Sequence, residues 1–165
     1  MAKNIGYKNI VFISVHANIL PKNMEGTMVY IPDASLSKGY LQKSGREYRR
    51  RREYSDQPRI QLTYKERVRA QKYSGKFAKA ICDSLKARGF RLCTSSYIRT
   101  YVEKKHSKYV PVQIRWNEVP AKILLEVANL QNSSDARKIS DYKYRERYAH
   151  AVVDGIIDYF DNMNH

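Results

Sequence analysis

The chain has 165 residues, 42% of them hydrophobic and 28% charged, enough apolar material for one packed core. Mean hydropathy is −0.67, and no apolar run nears the roughly 18–20 residues of a bilayer helix, so no transmembrane segment is expected. The net charge of +15, from 31 Lys and Arg against 16 Asp and Glu, predicts attraction to something anionic: nucleic acid, an acidic membrane surface or an anionic polymer.

Ile10-Val-Phe-Ile-Ser-Val15 is a continuous apolar run of β-branched and aromatic residues and predicts a buried strand that ends at His16-Ala-Asn18. Gly26-Thr-Met-Val-Tyr-Ile31 predicts a second strand, halted by Pro32. From about Asp33 to Lys72 the composition turns basic, with Arg49-Arg-Arg-Arg52 among tyrosines; this predicts a surface insertion whose helical part begins near Thr63. Phe77, Ile81 and Leu85 repeat at helical spacing, and Gly89 supplies the stop. Tyr97–Val102 alternates like a half-exposed strand, and Val110–Arg115 predicts another. Pro120 precedes Ala-Lys-Ile-Leu-Leu-Glu-Val127, the second strongly buried strand. A short helix is expected over Ser134–Ile139 with Ser134 as its N-cap. A final helix capped by Asp141 follows, with Tyr148, Val152, Ile156 and Phe160 on one face. Strands alternating with helices predict a single α/β domain over 1–165, a twisted and mostly buried sheet flanked by helices.

Two cysteines, Cys82 and Cys93, are too few for a disulfide framework or a four-ligand zinc site. Buried thiols are the expectation, with one disulfide left open. The first residues, Met1-Ala-Lys-Asn-Ile-Gly-Tyr-Lys8, lack the apolar core of a signal peptide, which taken alone points to the cytoplasm.

His16 closes a buried strand, where α/β folds commonly place ligands. Glu126 stands inside Ile123-Leu-Leu-Glu-Val-Ala128, where an unpaired carboxylate would cost several kcal/mol. It needs a cation, a metal-bound water or a hydrogen-bond network, or it must keep its proton. The plain alternatives are a satisfied structural histidine and a structural ion pair.

The segments Phe12-Ile-Ser-Val-His-Ala-Asn18 and Val119-Pro-Ala-Lys-Ile-Leu-Leu-Glu-Val-Ala-Asn-Leu-Gln-Asn132, then Asp135-Ala-Arg-Lys-Ile139, carry a resemblance. Tyr144-Arg-Glu-Arg-Tyr-Ala149 and Asp154-Gly-Ile-Ile-Asp-Tyr-Phe160 complete the pattern. Together they closely resemble the zinc-dependent N-acetylmuramoyl-L-alanine amidases, enzymes that remodel bacterial cell walls. The resemblance implies that His16 is a zinc ligand and Glu126 the catalytic glutamate, with Asn18 and Asn132 at the edge of the substrate site. It further implies a Zn2+ cofactor, an open metal position that brings the pKa of bound water towards about 7, and hydrolysis of the amide between muramic acid and L-alanine. Peptidoglycan is then the substrate, an activator protein is a possible partner, and the periplasm or cell envelope is the expected location.

The family pattern also has an earlier Asp-Pro-Gly-His-Gly-Gly-like segment with the first histidine, followed by a ligating glutamate. Neither has an equivalent in this sequence, and His106, His150 and His165 lie in no matching motif. The expectation is a chain that lacks the family's first strand or strands, as the C-terminal part of a catalytic domain, with weak zinc binding and little activity by itself.

The basic segment leaves alternatives open. Arg46–Arg52 with Tyr40, Tyr48 and Tyr54 suits a nucleic-acid-binding module, in which arginines meet phosphates and tyrosines stack on bases. A solvated loop is the plainer account, so no specific nucleic acid is expected; long-range attraction to an anionic wall polymer is a third. A non-catalytic remnant that binds the cell wall is a further possibility.

Overall fold

The computed structural model of the chain describes residues 9–39, 60–93 and 96–163. In chain order they form β1 (Val11–Asn18), β2 (Met28–Tyr30), α1 (Tyr64–Ala87), β3 (Ile98–Arg99), β4 (Val102–Lys104) and β5 (Ser107–Tyr109). Then come α2 (Val112–Arg115), β6 (Ala121–Asn129), α3 (Ser133–Ser140) and α4 (Tyr142–Asp161). Four strands make a mixed sheet in the order β1-β6-β2-β3, and β4 and β5 form a separate antiparallel hairpin. β1 is parallel to β6, β2 antiparallel to β6, and β3 parallel to β2. The expected α/β class, a sheet flanked by helices, is what the chain adopts.

β6 is apolar on both sides, which suits an interior strand. Ile123 and Leu125 face Phe77, Ile81 and Leu85 of α1 and Tyr148 and Ala151 of α4. Leu124 faces the other way, into a second cluster with Met28, Tyr30, Val110 and Ile114. α1 begins at the expected place because Thr63 and Glu66 form a capping box. It ends before Gly89, which takes φ +79°. α4 starts at Asp141, whose side chain accepts from the Lys143 N–H. The two long helices approach closely at Gly155, where a Cβ would come within 2.8 Å of the Ile81 Cα.

Several sequence expectations are corrected. Val110–Arg115 is not a strand: Pro111 ends the extended chain, and its carbonyl accepts from the Ile114 and Arg115 N–H groups to start the single turn α2. Ser134 is not a cap. Asn132 is, and the helix runs one residue further at each end. Tyr97–Val102 divides between β3 and β4. Nor is β1 fully buried. Among the described residues it pairs only with β6, so it lies at the sheet edge and leaves Val15 65% exposed. Cys82 and Cys93 are buried thiols without a disulfide, in clusters on opposite faces of the sheet. Burial pushes the Cys82 thiol up to about 12. Arg46–Arg52 with Tyr40, Tyr48 and Tyr54, the center of the expected basic insertion, lies outside the described residues. Among those described, no helix is long and apolar enough to cross a membrane.

Lys122 is the unexpected buried charge, 1% exposed in the central strand. Its ammonium donates to the Asn117 carbonyl, and its backbone N–H donates to Ser74 Oγ at 3.1 Å. Burial pushes its pKa down to about 8, against the upward pull of Glu118 and Glu66.

Two outcomes follow from this packing. Gly155→Ala forces α4 away from α1 and lowers stability by about 1–3 kcal/mol in urea unfolding; an unchanged midpoint would show that the helices can part freely. The Lys122 pKa lies below its unfolded value of about 10.4. From about pH 8 upward, the unfolded chain therefore holds the extra proton, and this group's contribution to stability rises with pH. Lys122→Met should be more stable than the parent by about 1–3 kcal/mol at pH 7, with a margin that shrinks towards pH 10 in unfolding curves taken at each pH. A margin constant with pH would contradict the burial argument.

Candidate functional site

The ladder between β1 and β6 pairs His16 directly with Glu126. In a parallel pair the side chains of register partners rise on the same face, and here Ser14 and His16 stand beside Leu124 and Glu126. Leu124 marks that face as the one covered by α2 rather than by α1 and α4. The register then slips by one residue, so that Asn18 pairs with Asn129. This bulge turns the end of β1. The expected site residues His16 and Glu126 thus come from strands distant in sequence and meet towards their C-terminal ends, the usual ligand edge of an α/β sheet.

The two differ in environment. His16 is exposed, with Nε2 2.9 Å from Ser14 Oγ. Glu126 is half-buried, and its Oε2 is shielded from solvent without a hydrogen-bond partner among the described residues. Burial raises the carboxyl pKa, while the nearby His16 pulls it down. Both line an open cleft of about 620 Å³, with Val102, Tyr109, Val112, Trp116 and Leu124 among its walls. A largely apolar wall with aromatic faces and a few convergent polar groups is the general form of a small-molecule site.

Sequence reasoning missed Tyr30 and Arg99. Met28 is the register partner of Glu126 on its β2 side, and Tyr30 is opposite Leu124, so Tyr30 shares the site face. Arg99 is its partner on β3. Burial raises the pKa of the Tyr30 hydroxyl most, the Glu126 carboxylate adds to this, and Arg99 and the Asn18 side chain oppose it. Nothing in the sequence marks this network, because it depends on which strands are neighbours.

Asn18 and Asn132 are both engaged in holding the chain. Asn18 Oδ1 accepts from the Ile19 N–H at 2.8 Å. Asn132 caps α3 by accepting from the Ser134 and Asp135 N–H groups, and its amide donates to the Lys22 carbonyl at 2.8 Å. A third asparagine, Asn129, is buried and clamps the β1–β2 loop. Its amide donates to the Pro21 and Met24 carbonyls, and its oxygen accepts from the Leu20 N–H. Buried Asp135 completes the clamp by accepting from the N–H groups of Gly26 and Asn129.

A catalytic zinc site uses three protein ligands. His16 and Glu126 are two potential donors, and among the described residues no group of three His, Cys, Asp or Glu side chains is placed to hold a metal. His106 is exposed in the turn between β4 and β5, and His150 is exposed on α4, the helix that packs on the other face. His165 lies outside the described residues. The described donor set therefore does not fit a tightly held zinc ion.

A family model described as N-acetylmuramoyl-L-alanine amidase matches residues 2–158. Among solved structures, the amidase Ami1 from Mycobacterium smegmatis is similar, with a TM-score of 0.62 and 19% identity over 98% of this chain and 58% of that one. The apo form of Ami1 from Mycobacterium abscessus gives 0.58 and 21% over 89% of this chain and 53% of that one. The CwlD amidase from Clostridioides difficile, in complex with the GerS lipoprotein, gives 0.55 and 17% over 94% and 58% respectively. At these identities the likeness establishes a shared fold. The chain spans a little over half the length of each of these three proteins. No curated protein matches.

The donor count leads to a direct measurement. The purified chain, dialysed after loading with zinc, should retain well below one ion per chain by elemental analysis. A stoichiometric ion that survives dialysis would overturn this expectation.

Proposed function

The chain belongs to the N-acetylmuramoyl-L-alanine amidase family, and on that premise we propose that it hydrolyses the amide between N-acetylmuramic acid and L-alanine in peptidoglycan. The observation that carries the proposal is the register pairing of His16 with a half-buried Glu126, whose Oε2 has no hydrogen-bond partner among the described residues, on the wall of an open cleft. A carboxylate whose pKa is raised by burial is a stronger base than an exposed one, and general acid–base catalysis gains when the pKa approaches the working pH.

In the proposed reaction Glu126 takes a proton from water as the water oxygen attacks the amide carbonyl carbon. The tetrahedral intermediate collapses, the carbon–nitrogen bond breaks, and Glu126 returns the proton to the departing amine of L-alanine. The new carboxylic acid passes its proton to the released amine, so the products are a lactyl carboxylate and a peptide ammonium, and atoms and charge balance. The aromatic faces of Tyr109 and Trp116 offer apolar surface for a sugar–peptide substrate. Asn18 enters this proposal as a polar neighbour that eases ionisation of the Tyr30 hydroxyl, and Asn132 as the cap that holds the loop edge.

Zinc dependence is part of the same proposal, with His16 as the ligand contributed by the described residues. Since they supply no complete ligand set, no step is routed through the metal. The periplasm or cell envelope, where the substrate lies, is the proposed location. A protein partner is proposed on the strength of the similar CwlD amidase, whose structure is a complex with the GerS lipoprotein. The nucleic-acid alternative is not favoured by the family match, and its arginine–tyrosine motif falls outside the described residues.

The test is release of free amine from purified peptidoglycan with zinc in excess, with products identified by mass spectrometry. Glu126→Gln keeps the shape and removes the base, so release should fall by about 10²-fold or more. No release by the parent chain, or equal release by the variant, would sink the proposal.

A further inference from the structure

The positive charge is not spread evenly over the described helices. α1 carries Lys65, Arg67, Arg69, Lys72, Lys76, Lys79 and Lys86 against Glu66 and Asp83, a net +5. α4, packed beside it in the same layer, has Lys143, Arg145 and Arg147 against Glu146, Asp154, Asp158 and Asp161, a net −1. A coat of charge serving solubility alone has no reason to favour one helix of a pair.

Spacing sharpens the contrast. Lys65, Arg69, Lys72, Lys76, Lys79 and Lys86 follow one another at three, four or seven residues, which places all six within an arc of about 100°. All six are exposed. The arc is opposite the buried stripe of Ser74, Phe77, Ile81 and Leu85. At a rise of 1.5 Å per residue, Lys65 to Lys86 make a cationic ridge about 32 Å long on this 24-residue helix. Asp83 is the single acid in the ridge, and it pairs with Lys79. Among the described residues no carboxylate forms an ion pair with Lys65, Arg69, Lys72 or Lys76, although Arg69 stacks over Tyr73 at 5.4 Å.

We propose that this face of α1 is a docking ridge for a linear phosphodiester polymer of the cell wall. The choice of a wall polymer rests on the amidase reading above; the choice of chemistry rests on the ridge. Five of its six cations are lysines, mobile point charges that meet single phosphates without demanding a paired geometry. Successive cations rise by about 4.5–6 Å through most of the ridge, so an extended chain of regular negative charges can lie along it. α1 places no aromatic residue inside the arc, and the two tyrosines that meet ridge cations are taken up by them, Tyr73 by Arg69 and Tyr97 by Lys86, so the ridge offers no row of free rings of the kind single-stranded nucleic acid stacks on. The ridge faces away from the sheet, whereas the His16–Glu126 cleft opens on the opposite face. A bound polymer therefore leaves the cleft free, and the ridge can hold the protein on the wall while the cleft engages substrate.

The test is sedimentation with insoluble bacterial walls, intact or stripped of phosphodiester polymer by hydrofluoric acid, across a salt series. The parent chain should bind intact walls about 10-fold more tightly than stripped ones, with affinity falling steeply as salt rises. The triple variant Lys65→Glu, Lys72→Glu, Lys76→Glu should lose this preference and show a shallower salt dependence. A charge-matched control, Lys104→Glu, Arg137→Glu, Lys143→Glu, alters other surfaces and should stay within about 2-fold of the parent. All six substituted positions are exposed, and unchanged thermal unfolding verifies that the variants fold. Equal binding to stripped walls, an equal loss in the control, or tighter binding to single-stranded RNA than to intact walls would overturn the proposal. Binding is read without turnover and Glu126 is untouched, so failure of the hydrolysis assay is recorded separately from failure of the ridge.

Discussion

The parallel ladder between β1 and β6 sets His16 beside Glu126, and buried polar groups hold the connection just past its end. Asn129, the last residue of β6, spends its side chain on the backbone of the loop that leaves β1. Asp135 receives N–H groups from both Gly26 and Asn129, so one carboxylate joins the entry to β2, the end of β6 and the first turn of α3. Buried polar atoms of this kind are costly to leave unpaired, which fixes one arrangement of the loop. That arrangement leads the chain from edge strand β1 past β6 into β2. The placement of His16, Glu126 and Tyr30 on one face follows from it.

The central strand bears an unusual burden. A strand of apolar residues is the natural center of a sheet, yet β6 carries both Lys122 and Glu126. Lys122 is enclosed and finds a carbonyl. Glu126 is nearer the end, half-open to the cleft, with an oxygen that finds no hydrogen-bond partner among the described residues. The same physics of desolvation acts on both, lowering one pKa and raising the other. Their contacts separate them: a buried cation with an acceptor is a packed structural group, whereas a carboxylate on a cleft wall with one oxygen unpaired among the described residues is available to chemistry. Such departures from local consistency tend to mark function.

The two faces of the sheet divide the labour. α1 and α4 seal one face with the larger core, and the approach at Gly155 locks them together. The other face is covered more sparsely, by α2 and a smaller cluster, and this leaves room for the cleft. The net charge of +15 acquires a location in the same way. Part of it is concentrated on the outer side of α1, remote from the cleft, because a helix that buries one stripe must offer the opposite one to solvent.

Local signals in the sequence were enough for two paired strands and the two long helices. The β-branched run before His16 and the apolar run around Glu126 are the paired strands β1 and β6, and the Phe77–Ile81–Leu85 spacing and the Asp141 cap are the two long helices. These are legible because period and capping act within a few residues. The same locality explains the errors. Pro111 outweighed the β-branched residues of 110–115, and Asn132 outcompeted Ser134 for the cap by accepting two N–H groups. By itself the sequence determined the two paired strands, the two long helices, the two anomalous residues and the basic charge. Only the tertiary structure decided that His16 and Glu126 are register partners, that Tyr30 and Arg99 join them, and that Val15 lies on an exposed edge. The reason is that register is a property of two strands: a slip of one residue sends every side chain to the other face without changing the sequence of either.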